Sequence, residues 1–564
     1  MKVAEGLLPD VFQLGGRGKR KRGRCLDEQG SEHQHRQHVS RPQLDLLRDP
    51  ILKVHSDRVS EYTWLYEQLH PVFALDVDSF MLIIKSNCLL MFLPTDPHGK
   101  SLRRHIHTER ASEDTWLDVQ PHPVFSPDGD SFLLLATIKE GTQNDYYSHI
   151  KHVTPAQQRI AVLSHGKYEV IKILSWDTTN HLVYYLGTRA EKPGQRHLYV
   201  VRDPSTDDVR RLEPQCITCD LGEVLRSSRY WYTNCTYFFA TISPGHVAGT
   251  TSYYVLECEG PGLPLAGIHS AVTHRLLRVL YNMRPYKTAG LRELALPTMQ
   301  SFEVPLSPGC VAQVQLLLPP SWREELRDAA FPVLVEVNGR PGGQSVSEKF
   351  SINWGTYMSS HNDVVYVKLD VRGAKGQGTR PVFRRMGGAE VHDQVTVLRH
   401  LLDTRKFLDE TRVGVWGMGV WWLRHSHAAG LPAEYLQVWY SRIAYSRLAL
   451  LHDREVEVRN LIGYSAFTER ILGLPGDNYK GYVEADATQR ARNVPSHSLY
   501  LMHGLADVSA PYQHGVALAR ALADAGVIFR YQSGRRSAAV VKLTLEEPHR
   551  ITADYYHPLR PLEL

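Results

Sequence analysis

The sequence predicts two joined architectures, a run of antiparallel β-structure followed by a parallel, doubly wound α/β domain. Three observations carry that reading. Between about 115 and 300, short apolar strands are broken by turn signals. Beyond about 310, strands alternate with stretches of helical periodicity. Ahead of both, a segment repeats at a constant offset of 52 residues.

The 564 residues are a prior for two to four domains with ample cores. With 43% hydrophobic and 22% charged residues the composition is globular, which excludes wholesale disorder, collagen and coiled coil. A net charge of +5 is small for this length, so no nucleic-acid partner is expected. The longest apolar stretch, Phe80 to Leu93, is interrupted by Lys85, Ser86 and Asn87, short of the roughly 18 to 20 residues of a membrane helix. Residues 1 to 14 lack the charge cluster, apolar core and cleavage site of a signal peptide.

Residues 1–58 hold the basic run Arg17 to Arg24 and the histidines His33, His35 and His38, and read as a basic, disordered tail rather than a nuclear signal, nucleic-acid patch or metal tract. Residues 59–305 form the β region. In it, 15 of the 23 positions from 60–82 are identical to those of 112–134. A recent duplication, or an error in the assembled gene, explains this better than two diverged blades. Only the second copy has a clean turn, Ser126-Pro-Asp-Gly129. Strands are expected at Ser131 to Thr137, Tyr168 to Leu174, Leu182 to Gly187, His197 to Val201 and Tyr253 to Cys258, a spacing that fits a sandwich or a propeller. In residues 306–564, strands are expected at Gln313 to Leu318, Phe331 to Val337, Asp363 to Asp370 and Thr411 to Trp416, and helices at Val391 to Leu402 and Ala510 to Gly526.

Four of the seven cysteines, Cys216, Cys219, Cys235 and Cys258, crowd into 43 residues. Asn234-Cys235-Thr236 among them is an N-glycosylation acceptor, which favours a lumenal or extracellular compartment. Cys216-Ile-Thr-Cys219 could be half of a zinc site, yet no second Cys pair or His pair follows at finger spacing, so disulfides are preferred and neither metal nor cofactor is expected.

The candidate chemistry lies after the strand Val413 to Trp416. In an α/β-hydrolase, the nucleophilic serine stands in a G-x-S-x-G elbow between strand and helix, and acid and histidine follow it. Here the frame reads Gly417-Met418-Gly419-Val420-Trp421, with glycine where serine belongs. Glycine has no side chain, so no acyl-enzyme can form there.

From Cys216 to Gln532, with a break at 420–463, the chain resembles the dipeptidyl-peptidase-IV family of the prolyl oligopeptidase clan, particularly its non-catalytic dipeptidyl-aminopeptidase-like branch. The residues that carry the resemblance are Cys216-Ile-Thr-Cys219, Asn234-Cys-Thr-Tyr237, Cys258-Glu-Gly-Pro-Gly-Leu-Pro-Leu265, Pro341-Gly-Gly-Gln-Ser-Val-Ser-Glu-Lys-Phe350, Arg372-Gly with Gly376-Gln-Gly378, Arg385-Met-Gly, Asp393-Gln394, Thr468-Glu-Arg-Ile-Leu-Gly-Leu-Pro475 and His503-Gly-Leu-Ala-Asp507. The fold it implies is a β-propeller, partial here, followed by an α/β-hydrolase domain disrupted at 420–463 and after 532. It implies the pairs Cys216–Cys219 and Cys235–Cys258. It places the nucleophile position at Gly419, the acid at Asp507, and the oxyanion position, a tyrosine in the family, at Asn338. An amide donates a hydrogen bond with shorter reach than a phenol. The catalytic histidine, expected in a short Asp-x-x-His motif soon after Tyr531, is unidentified, because the chain continues there as Ser533-Gly-Arg-Arg-Ser and only His549 and His557 lie further on. Asp507 then serves either a vestigial triad or a loop cap. Ser441, Ser446 and Ser465 sit in no elbow.

Active members hold the substrate's amino terminus with paired glutamates; the nearest text, Trp64-Leu-Tyr-Glu67-Gln68-Leu69, lacks them. After Gly419 the family's Tyr-Gly-Gly gives way to Val420-Trp421-Trp422, as a one-base shift of TAT GGT GGT to GTA TGG TGG produces. The glycine-rich run Arg372 to Gly378 is expected to be a structural loop rather than a phosphate cradle. The resemblance thus implies a non-catalytic ectodomain at the extracellular face of the plasma membrane, a homodimer partnering a membrane protein such as an A-type voltage-gated potassium channel. The alternative is a serine dipeptidyl peptidase.

Overall fold

The structure, a computed structural model, describes residues 72–74, 77–85, 88–93, 104–110, 115–116, 123–140, 145–204, 213–219, 232, 234–243, 252–283, 294–307, 310–326, 329–338, 341–377, 382–418, 436–441, 471–505 and 512–534. The tail 1–58, the segment 64–69 and the serines Ser446 and Ser465 lie outside them.

Strands β1 (Val72–Ala74), β2 (Val77–Lys85), β3 (Cys88–Leu93) and β4 (Arg104–Arg110) form an antiparallel meander. A second follows from β5 (Val124–Phe125), β6 (Phe132–Glu140), β7 (Asp145–Thr154) and β8 (Arg159–Val162). Val72 and Val124, one repeat apart, each open a meander, so the two copies take equivalent places in successive blades. The expected turn is present: Gly129 N–H donates to Ser126 O at 3.0 Å, and Gly129 takes φ 75°, a left-handed conformation that glycine adopts without strain.

Next come β9 (Val170–Asp177), β10 (Leu182–Arg189), β11 (Lys192–Arg202) and β12 (Gln215–Cys216), then β13 (Tyr237–Ile242), β14 (Tyr253–Gly260), β15 (Leu265–Ser270) and β16 (Leu276–Asn282). One parallel bridge, Arg196 to Tyr237, joins these two meanders into one sheet. The described sheets do not close into a ring, and the propeller is partial. The reason these strands form is local: Val183, Tyr184, Tyr185, Leu198 and Val201 are β-branched, aromatic or aliphatic and all are buried.

The last sheet contains β17 (Thr298–Ser307), β18 (Cys310–Leu318), β19 (Phe331–Asn338), β20 (Val365–Asp370), β21 (Leu408–Met418), β22 (Leu436–Ser441), β23 (Leu499–Gly504) and β24 (Arg530–Gly534). Its order is β17-β18-β20-β19-β21-β22-β23-β24. The β17/β18 and β18/β20 pairs are antiparallel; every later pair is parallel. Valines at 333, 335, 365, 367, 413 and 415 fill the centre, as expected of strands covered on both faces. Helix α1 (Trp354–Asn362) starts at a capping box between Asn353 and Thr356. Helix α2 (Ala389–Thr404) buries Val391, Val395, Leu398 and Leu401 along one stripe. Helices α3 (Tyr479–Glu484) and α4 (Gln513–Asp524) complete the described set. β22 is a central strand although its text lies within the 420–463 stretch where the resemblance lapses. No helix among the described residues is long and apolar enough to cross a membrane.

Candidate functional site

In an open parallel sheet, ligands bind beyond the carboxyl ends of the strands, where the strand order reverses. Here that point falls between β19 and β21, and the ladder fixes what stands there. Asn338, the last residue of β19, pairs with Met418, the last residue of β21. Gly419 comes next in the chain and lies outside the described residues. One strand further over, Gly417 pairs with Ser441 at the end of β22. Gly417 is required by close approach, since a Cβ there would sit 2.6 Å from Val337 O. Asp507 follows the end of β23 by three residues and lies outside the described residues, as do His549 and His557. The backbone therefore brings the ends of β19, β21 and β23 to one edge.

Below that edge, His503 on β23 and His514 on α4 are both buried. Burial first, then the neighbouring His503, pushes His514 down to about 4, so it stays neutral. Gly515 lets α4 approach closely, because a Cβ would meet His503 Nδ1 at 2.5 Å and Tyr531 Oη at 2.6 Å.

The end of β20 is better furnished. Asp370 is buried and accepts from the N–H groups of Ser345 (2.8 and 3.1 Å) and Val346 (2.8 Å). Burial pushes its carboxyl up to about 7 against those hydrogen bonds. Arg372 clamps Asp393 of α2 with two hydrogen bonds, 2.6 and 2.5 Å, which makes the run from Arg372 a structural loop, described as far as Gln377. Beside it Pro341, Asp370, Arg372, Glu390 and Gln394 line a cavity of about 20 Å³, the space of roughly one water.

The segment Asp370 holds is the seam between the two folds. Gln344 Nε2 donates to Pro193 O at 2.6 Å, and Arg196 donates to Gln344 Oε1. Glu348 accepts from Gln195 Nε2 at 3.0 Å and from the Thr236 hydroxyl. Lys349 pairs with Glu259 at 3.0 Å, and Phe350 N–H donates to Glu259 O at 2.7 Å. The sequence reading missed this seam: its partners lie from about 90 to about 150 residues apart, and nothing local marks them.

Both disulfides implied by the resemblance are present. Cys216–Cys219 spans a separation of 3 residues and Cys235–Cys258 one of 23. Asn234 is exposed at the surface beside the second, with φ 61°.

Meanders of four strands followed by a sheet in this order define propeller blades carried on an α/β-hydrolase domain. Residues 86–265 match the family model for the dipeptidyl peptidase IV N-terminal region, and residues 349–419 and 454–537 match the prolyl oligopeptidase family. Inactive dipeptidyl peptidase 10 of Rattus norvegicus is 28% identical over 436 residues, 75% of this chain and 49% of that protein. Prolyl endopeptidase FAP of Homo sapiens is 29% identical, over 72% of this chain and 49% of its own. Dipeptidyl peptidase 4 of Sus scrofa is 29% identical, over 72% and 48%. Porphyromonas gingivalis dipeptidyl peptidase 4 superposes with a TM-score of 0.64 at 16% identity, over 84% of this chain and 61% of that one, a likeness of fold. The chain belongs to the dipeptidyl-peptidase-IV family of the prolyl oligopeptidase clan. It spans about half the length of the curated relatives it matches. The match to the hydrolase model breaks off after Gly419, resumes at residue 454 and runs on to residue 537.

Proposed function

We propose that this chain is a non-catalytic dipeptidyl-peptidase-like ectodomain, an accessory or modulatory subunit of a membrane protein such as a voltage-gated potassium channel. One observation carries the reading: the residue after β21, where the family sets its nucleophile, is Gly419. Without a hydroxyl there is nothing to attack a carbonyl, and Asn338 in place of the oxyanion tyrosine removes a second contribution.

The alternative is a serine-type dipeptidyl peptidase. It would need a serine from elsewhere, and Ser441, whose backbone pairs with Gly417 at the end of β22, is the residue placed to be tried. The purified protein is expected to release nothing above blank from a chromogenic dipeptide-proline substrate. Turnover that disappears in Asp507→Ala or Ser441→Ala establishes the peptidase instead.

We place the chain at the extracellular face of the plasma membrane, as a homodimer. Support comes from the exposed Asn234 sequon and the two disulfides, which persist in oxidising compartments. Co-expression with an A-type channel is expected to change its surface level and inactivation rate, and amidase treatment to shift the electrophoretic mobility of the wild-type chain but not of Asn234→Gln. Unaltered currents, or a mobility indifferent to the amidase, would remove the partner and the location respectively.

A further inference from the structure

The turn Cys216-Ile-Thr-Cys219 has no second ligand pair at finger spacing, but the fold brings a third donor from β11. One ring nitrogen of His197 and the sulfurs of Cys216 and Cys219 all lie within 4.8 Å of one another. A tetrahedral zinc, with bonds of about 2.3 Å to sulfur and about 2.0 Å to nitrogen, holds its donors roughly 3.5 to 3.8 Å apart. The three donors already stand within reach of that arrangement.

The tautomer of His197 is set from its far side. Gln195 Nε2 donates to Glu348 Oε1, a carboxylate oxygen that only accepts, which turns Gln195 Oε1 toward His197 Nε2 at 3.2 Å. An amide oxygen also only accepts, so Nε2 carries the proton. Nδ1 keeps its lone pair and receives the hydroxyl of Thr218, 3.1 Å away, inside the cysteine turn. Thr218 Oγ1 accepts from Leu198 N–H at 3.0 Å, which leaves its own proton for the imidazole. Outer-shell partners of this kind orient metal-binding histidines. Here they lead from the hydrolase segment, through Glu348 and Gln195, to the propeller.

In the disulfide the sulfurs are occupied. Cys216 and Cys219 are partly exposed, whereas Cys235 and Cys258 are buried, so an external dithiol reaches the first pair sooner. One thiolate of the dithiol displaces a cysteine sulfur, forming a mixed disulfide. Its second thiolate closes the reductant's own disulfide and releases the other cysteine, and the two protons of the dithiol end on Cys216 and Cys219. A zinc ion then replaces those two protons, which leave to solvent, and takes the Nδ1 lone pair in place of the Thr218 hydroxyl, whose proton turns away.

The geometry points to a redox-gated zinc site formed by Cys216, Cys219 and His197, closed when the cysteines are joined and open, with a fourth position for water, when they are reduced. The site is independent of whether the hydrolase domain is catalytic.

The test uses the full chain, reduced with a phosphine until mass mapping finds Cys216 and Cys219 free and Cys235–Cys258 intact, then titrated with Co²⁺ as a spectroscopic substitute for zinc. One cobalt per chain is expected, with thiolate charge-transfer bands and tetrahedral ligand-field bands that the oxidised chain does not give. The Cys216→Ser, Cys219→Ser double variant is expected to lose them. Gln195→Leu is expected to weaken cobalt about ten- to a hundredfold with an unchanged near-ultraviolet dichroism spectrum. If His197→Ala does not fold, His197→Asn takes its place. The assignment is overturned if the reduced chain takes up no cobalt, if uptake survives the double serine variant, or if both His197 variants bind with wild-type affinity and spectrum.

Discussion

Two neighbouring strands of the hydrolase sheet end very differently. β20 closes on Asp370, buried and holding two backbone N–H groups, and two residues later on Arg372, clamped to Asp393. β19, paired to it in parallel, closes on Asn338, and the next strand over leads into Gly419. Acidic and basic groups are kept where they fasten the chain to itself. The positions read as nucleophile and oxyanion donor hold Gly419 and Asn338. On the proposed reading, a fold that keeps its internal braces without a nucleophile is maintained for shape, which is what a binding role requires.

The braces predict the largest effects. Arg372→Ala strands the carboxylate of Asp393, which is only 2% exposed, and a buried ion with its partner removed costs about 3 to 5 kcal/mol. Urea unfolding should show that loss as a lower midpoint with little change in slope. A loss below about 1 kcal/mol would mean that the clamp is ornamental and that β20 resembles β19 after all.

A second effect is set by pH, and a buried carboxyl and buried histidines oppose one another in it. The Asp370 carboxyl lies at about 7, above its ordinary 3.8, so the folded chain holds this proton more tightly than the unfolded one. Stability from this group is full below about pH 4 and is lost as pH rises to about 7, by up to about 4 kcal/mol. In the propeller, His149 is completely buried; its Nε2 donates to Gly166 O at 2.9 Å and its Nδ1 faces the Ser164 hydroxyl at 3.0 Å. Burial pushes it down to about 4 from 6.5, so the unfolded chain takes up the proton first and stability falls as pH drops through that window. His514 has the same sign. Two histidines outweigh one carboxyl, so denaturation midpoints from pH 4 to 8 should rise modestly toward neutral pH in the wild type, rise more steeply in Asp370→Asn, and vary little in His149→Gln. Parallel profiles in all three would show that neither group is held as described.

How much of this was legible in the sequence follows from range. The strands of both halves and helices α2 and α4 were readable because apolar spacing is a local signal: Val391, Val395 and Leu398 mark their helix unaided. The expected ends were off by a few residues, as at β21, which runs Leu408–Met418 rather than Thr411 to Trp416, because pairing with β19 extends it. The glycine in the elbow frame was visible for the same reason. Arg196 with Gln344, Glu348 with Gln195, and His197 with the cysteine turn were not, because each joins residues that only the tertiary fold brings together.

The disulfides sharpen the contrast within the propeller. In the chain-entropy account the stabilisation grows with the loop closed, so losing the Cys235–Cys258 link should cost about 3.5 kcal/mol and losing Cys216–Cys219 about 2. Double serine variants, compared by thermal melts, give the ranking. A larger loss at Cys216 and Cys219 would make that turn a structural staple and weaken its role as a redox gate.

The smallest expected effect is the most pointed. Gly419→Ser restores the atom that the elbow lacks, and if the chain were an enzyme spoiled at one position, dipeptide turnover would return. We expect none. A serine hydroxyl is a weak nucleophile until a histidine takes its proton, and no histidine is identified for that role: the one Asp-x-x-His tetrad after Tyr531, Asp554 to His557, stands more than twenty residues beyond it at the end of the sequence. The position we read as the oxyanion donor's is Asn338, and an amide reaches less far than the tyrosine of the family. Removing one triad member already costs most of the rate, and the losses are not additive, so restoring one of several missing groups recovers almost nothing. Measurable turnover in Gly419→Ser that Asp507→Ala abolishes would instead mean that acid, base and oxyanion donor are all in place, and that the strand ends of β19 and β21 had kept what those of β20 so plainly keep.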